Sequence, residues 1–168
     1  MRNMKPKQTH TPHYKTCDYL RFYLDPAQAT AKFKAAVKVL RKCEVEFDSI
    51  AFCGMSGALI APPIAHRLKK PLLMVRKTTV GCHSSDKVEG NQNCERYIIV
   101  DDLTSSGRTI KRIQYEIHKF APDARCVGFL GVNYLSNDGT SAYWDRLDPE
   151  QKFYTFEDGD EPNLKDWE

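Results

Sequence analysis

The sequence predicts a single α/β domain built on a central, mostly parallel sheet flanked by helices. Three observations lead there. Short apolar runs alternate with helix-forming runs between residues 49 and 132. The length, 168 residues, suits one compact domain. Apolar residues make up 41% and charged residues 28%, a balance that supports a buried core without disulfides or structural metal.

The elements follow in order. Residues 1–16 are polar, contain Pro6 and Pro12, and are expected to form a basic, flexible N-terminal segment ahead of one domain spanning 17–168. Residues 27–42 are rich in helix formers. Phe33, Ala36, Val37 and Leu40 share one helical face with lysines opposite, and Pro26 suits the first turn. Ser49–Cys53 reads as a buried strand, Gly54-Met55-Ser56-Gly57 as a turn, and 58–68 as a helix. Pro62 and Pro63 fit that helix only near its start. Leu72–Val75 is a second strand, and the polar stretch 76–94 is expected to be a long mobile loop or hairpin. Tyr97–Val100 is a third strand running into Asp101-Asp102. Residues 109–120 form a helix with Ile110, Ile113 and Ile117 on one face, and Cys126–Val132 is a fourth strand. In such sheets ligands bind beyond the carboxyl ends of the strands, where both the Gly54 turn and the acid pair fall.

Charge and cysteine usage narrow the classes. The net charge of +3 is too small to argue for nucleic acid. Residues 1–15 carry Arg2, Lys5, Lys7 and Lys15 and no acid, whereas the stretch after Trp144 is acid-rich, so the two ends read as solvated or as packing on each other. Cys17, Cys43, Cys53, Cys82, Cys94 and Cys126 contain no Cys-x-x-Cys pair, which argues against zinc, and nothing forces a disulfide, which favours a reducing cytoplasm. Cys53 and Cys126 read as small core residues. No signal peptide is visible, and no apolar run is long enough to span a membrane.

The strongest chemical signal is YIIVDDLTSSGRTIKR, residues 97–112. A strand delivers two adjacent carboxylates, a hydroxyl-rich loop with a glycine follows, and a helix begins. Unsatisfied N–H groups at a helix N-terminus bind phosphate. Thr104, Ser105, Ser106 and Thr109 add hydroxyls, and Gly107 lets the backbone approach an anion. Two acids beside a phosphate loop suit a ligand that also carries sugar hydroxyls, which donate to carboxylates. A metal-binding acid pair of another enzyme class is the competing reading.

This segment resembles the signature of type I phosphoribosyltransferases that binds 5-phosphoribosyl-1-diphosphate (PRPP). The resemblance implies the type I phosphoribosyltransferase fold, with a core at 47–132 and a small hood from 17–45 and 133–168. It puts Asp101 and Asp102 on the ribose hydroxyls and Thr104, Ser105, Ser106, Gly107, Arg108 and Thr109 around the 5′-phosphate. Ser106 stands where threonine is usual, and Arg108 where a small residue is common. Met55, Ser56 and Gly57 match the family's diphosphate loop. MVRKTTVGCHSSDKVEG, residues 74–90, is similar to the catalytic flap of orotate phosphoribosyltransferases. That similarity makes Arg76, Lys77, His83 and Lys87 catalytic candidates, together with Asp101 and Asp102. The implied cofactor is Mg²⁺, carried by PRPP with Asp101 and Asp102 nearby rather than held by a dedicated side-chain site. The implied partners are PRPP, a purine or pyrimidine base and a second copy of the chain. Neither the orotate-binding Lys-Ser-Gly pattern nor the usual purine-type aromatic pattern is evident, though Tyr134, Tyr143 and Trp144 are aromatics suited to stacking on a base. The Gly-Arg-Thr order is also similar to pyrimidine operon regulators with uracil phosphoribosyltransferase activity. With the basic N-terminus it leaves two alternatives beside an active transferase: a PRPP- or nucleotide-sensing regulator that binds nucleic acid, and a transferase with another acceptor.

Overall fold

A computed structural model describes residues 20–78, 84–102 and 107–134. A short helix, α1 (Arg21–Leu24), precedes α2 (Pro26–Lys42). Then come β1 (Ser49–Cys53), α3 (Gly54–Leu68), β2 (Leu72–Val75), β3 (Val88–Gly90), β4 (Arg96–Asp101), α4 (Arg108–Phe120) and β5 (Arg125–Gly131), with a 3₁₀ turn at Val132–Tyr134.

The five strands form one sheet in the order β3-β2-β1-β4-β5. β1, β2, β4 and β5 run parallel, and β3 returns antiparallel along β2. The alternation of side chains along each strand splits the core in two. Ile50, Phe52, Ile98, Val100 and Leu130 face α2 and α3. Ala51, Cys53, Tyr97, Ile99 and Phe129 face Ile110, Ile113 and Ile117 of α4. All five β1 residues are buried, which is why that strand reads as a continuous apolar run.

The helices start where local chemistry dictates. Asp25 caps α2: its Oδ1 accepts from the N–H groups of Ala27 (3.1 Å) and Gln28 (2.9 Å), and Pro26 occupies the first turn. The expected apolar face of α2 is observed, with Ala36, Val37 and Leu40 buried. The lysines do not all lie opposite it. Lys32 is buried, its Nζ 5.5 Å from the centre of the Phe22 ring, because α1 folds against α2 and covers that side. Ala36, Val37 and Leu40 of α2 share a core with Ile50 of β1 and Ile60 of α3.

Residues 54–57 are not a separate turn. Gly54 adopts φ +71°, which swings the chain from strand to helix in one residue, so α3 begins there. Pro62 and Pro63 consequently lie inside α3 rather than near its start. Each removes one backbone donor from the helical ladder, and the buried face of Ile60, Ala61, Ile64 and Ala65 holds the helix across the gap. The stretch 76–94 is partly a hairpin, with Val88 of β3 opposite Val75 of β2. Cys53 is buried as expected, whereas Cys126 on β5 is only partly buried. Among the described residues no helix is long and apolar enough to cross a membrane.

Candidate active site

The strand order reverses between β1 and β4: β2 continues the sheet on one side and β5 on the other. At such a switch point the loops leaving the two strands diverge and open a crevice. The crevice is framed by the start of α3, the end of β4 and the start of α4.

Asp101 and Asp102 stand at the end of β4 with only 5% and 6% exposure. The Ser56 hydroxyl of α3 donates to Asp101 Oδ1 at 3.2 Å, and the Asp102 N–H donates to the same atom at 2.9 Å. Burial, and next the adjoining Asp102 carboxyl, push the Asp101 carboxyl up to about 7, outweighing these two donors. A buried carboxyl held partly protonated gains when polar donors of a ligand arrive.

Lys77 reaches the same crevice from the end of β2. A Cβ at Gly54 would lie 2.8 Å from Lys77 Cε and 3.3 Å from its Nζ, so the ammonium rests against the first residue of α3. Cys53 supplies no side-chain cap to α3, and Gly107, with φ +74°, supplies none to α4. Among the described residues neither helix start receives a side-chain cap from its N-cap residue. Burial pushes the Cys53 thiol up to about 11, against the pull of Lys77 and Arg112.

The other candidates divide. Arg76 is turned to its own hairpin, where its Nη2 and Nε donate to Glu89 Oε1 at 2.6 and 3.1 Å. Its N–H donates to the Lys87 carbonyl at 2.9 Å, while Lys87 itself is exposed. Met55 is 73% exposed at the mouth of the crevice. Gly57 faces inward, where a Cβ would meet Phe52 Cβ at 3.0 Å, so its bareness serves packing. Arg108 is exposed and Thr109 half-buried at the start of α4. His83, Thr104, Ser105, Ser106, Tyr143 and Trp144 lie outside the described residues, as does the side chain of Tyr134.

Two groups beside the acids escaped sequence reasoning. Tyr23 of α1 donates its hydroxyl to Asn133 Oδ1 at 2.5 Å, and the Asn133 N–H donates to the Asp102 carbonyl at 2.9 Å. They are 110 positions apart and no short motif joins them. A cleft of about 630 Å³ lies at the other end of the sheet, around Phe47, Asp48, Lys70 and Arg96. It contains no strand carboxyl end and neither acid of the pair.

No family model matches the chain. An adenine phosphoribosyltransferase of Bifidobacterium longum is 33% identical over 147 residues, covering 78% of this chain and 73% of the relative. The chain belongs to the type I phosphoribosyltransferase family. An orotate phosphoribosyltransferase of Sinorhizobium medicae is 33% identical over 99 residues, 58% of this chain, and the match spans 42% of that relative's length. Among solved structures, UMP synthase of Leishmania donovani superposes with a TM-score of 0.54 at 26% identity, over 67% of this chain and 23% of that one.

Proposed function

We propose that this phosphoribosyltransferase binds Mg²⁺–PRPP in the crevice between β1 and β4 and transfers the 5-phosphoribosyl group to a nitrogenous base, releasing diphosphate. The observation that carries the reading is the buried acid pair with the raised Asp101 carboxyl, set beside the starts of α3 and α4 and the Lys77 ammonium. A diphosphorylated sugar offers hydroxyls for the acids and anions for the amides and the cation.

In this reading Asp101 and Asp102 accept the ribose 2′- and 3′-hydroxyls, and the segment 104–109 receives the 5′-phosphate. The N–H groups of Met55, Ser56 and Gly57 face the diphosphate. Lys77 neutralises charge that grows on diphosphate as its bond to the sugar C1 breaks, a stabilisation larger in the transition state than in the bound substrate. The Arg76–Glu89 pair anchors the base of the β2–β3 hairpin, and His83 and Lys87 are the further cations this reading assigns to the reaction. No protein nucleophile is needed; positioning and electrostatics suffice.

Among the described residues no cluster of three or more His, Cys, Asp or Glu side chains is placed to hold a metal. An acid pair plus ligand oxygens nevertheless fits Mg²⁺, which keeps several waters and binds through one or two carboxylates and substrate phosphates. When bound it supplies further neutralisation of the leaving diphosphate.

A panel of free bases incubated with PRPP and Mg²⁺, followed by mass spectrometry for a new nucleoside monophosphate and by diphosphate release, tests the reaction and names the base. No product from any purine or pyrimidine contradicts it. A second copy of the chain is the proposed partner, and sedimentation at micromolar concentration decides between one copy and two.

A further inference from the structure

We infer that Tyr23 is a positioning residue of the PRPP site, clamping the acid-bearing end of β4 through Asn133. The inference rests on the proposed reading of that site and deepens it. The chain of contacts is short and directional. The Tyr23 hydroxyl donates to Asn133 Oδ1 at 2.5 Å, and the Asn133 N–H donates to the Asp102 carbonyl at 2.9 Å. Asn133 lies in the 3₁₀ turn two residues past the end of β5, and β5 pairs with β4 up to the Asp101–Gly131 register. The clamp therefore extends the pairing of β4 and β5 one step beyond the sheet and locks it to α1.

Tyr23 is well built for this. Its ring is 8% exposed and lies 6.2 Å from the Phe33 ring, nearly parallel to it, so the phenol has one orientation. Burial, and next the charges of Asp102 and Asp101, push its hydroxyl far above the usual tyrosine range. The phenol therefore stays protonated and donating at any physiological pH. A tyrosine serving the core alone would need neither a half-buried asparagine partner nor proximity to both acids. Here the hydroxyl fixes the peptide of Asp102, and the peptide fixes where its carboxylate points. The segment before α2 thereby becomes part of the sugar site, although no ligand contact is required of it.

The test measures Mg²⁺–PRPP affinity by calorimetry in the full chain for Tyr23→Phe, Asn133→Ala and the double variant. KM, kcat and melting temperature are recorded alongside. Losing a neutral hydrogen bond predicts about a fivefold rise in Kd and in KM for PRPP, with kcat nearly unchanged. The double variant should be no worse than the weaker single variant, because both break one link. Tyr115→Phe, which removes a buried hydroxyl on α4, should leave affinity unchanged. Unchanged PRPP affinity in Tyr23→Phe and Asn133→Ala, or losses that multiply in the double variant, would overturn the clamp. Asp101→Asn with Asp102→Asn separates the two levels. If that variant loses PRPP while Tyr23→Phe does not, the site stands and the clamp fails. If it binds PRPP normally, the site and the clamp fall together.

Discussion

Two aspartates at opposite ends of the sheet show how one residue type serves structure at one end and chemistry at the other. Asp48, just before β1, accepts from the Ser49 hydroxyl at 2.5 Å and from the N–H groups of Glu95 at 2.9 Å and Arg96 at 2.7 Å. Burial raises its carboxyl, but these donors, Ser49 foremost, outweigh burial and hold it below the ordinary range. Asp101, at the far end of the neighbouring strand, is more deeply buried, has an acid beside it, and is pushed up to about 7. The first carboxylate has its donors in the protein. The second has two donors among the described residues, the Ser56 hydroxyl and the Asp102 N–H, and they do not offset burial and the neighbouring acid. An acid satisfied by backbone ties strands together; a buried acid with a raised carboxyl at the end of a strand is a candidate for chemistry.

The largest expected contrast comes from removing charge at each end. Asp101→Asn with Asp102→Asn should abolish turnover and weaken PRPP binding at least about a hundredfold, since each charge-assisted hydrogen bond is worth roughly 1.5–3 kcal/mol. The fold should survive, as shown by circular dichroism. Asp48→Asn should leave PRPP affinity within about twofold yet lower stability by roughly 1–2 kcal/mol in urea titrations, because two backbone donors lose a charged acceptor. If both changes acted on stability alone, the contrast between the ends would disappear.

Lys77→Ala comes next. Its ammonium rests against Gly54 at the start of α3, so its loss should cut the single-turnover rate about a hundredfold while PRPP affinity falls far less. Equal losses in rate and affinity would make Lys77 a simple anchor. Gly54→Ala should be milder but should disturb both properties together. The new methyl meets Lys77 Cε at 2.8 Å and sits at φ +71°. It should cost about 1 kcal/mol or more in backbone strain and displace the lysine, reducing kcat with it. An alanine variant with full activity would show that the lysine has room elsewhere.

The sequence made most of this legible, for physical reasons. Buried parallel strands read as unbroken apolar runs, so Ser49–Cys53 and Leu72–Val75 match in full. The helix 109–120 was marked by isoleucines at helical spacing and begins one residue earlier in the structure, at Arg108. The acid pair was visible because strand, carboxylates and helix start are contiguous in the chain. What stayed hidden depends on distant contacts. Lys32 is buried only because α1 lies over it, and α1 itself is four residues, too short to show a period. The length of α3 past two prolines reflects packing on the sheet rather than propensity. Arg76 looked like a free cation until β3 brought Glu89 beside it. The Tyr23–Asn133 link joins the two ends of the described chain, and no local pattern announces it.

In the proposed site the ribose hydroxyls donate to Asp101 in its ionised form. The raised carboxyl has a definite sign. Between its ordinary value near 3.8 and about 7 the folded protein binds a proton that the unfolded chain releases, so Asp101 lowers stability as pH climbs through that window. Asp48, with its lowered value, does the reverse: its contribution is present above the ordinary range and is lost as pH falls through its folded value. Ligand binding through an ionised Asp101 must displace that proton. The decisive measurement is therefore the Kd of Mg²⁺–PRPP by calorimetry from about pH 5.5 to 8.5, in the native protein and in Asp101→Asn, with buffers of different ionisation enthalpy to count protons. Affinity in the native protein should rise toward pH 7 and then level off, with proton release that the Asn variant lacks. Equal affinity and equal proton counts in the two proteins at every pH would contradict the claim.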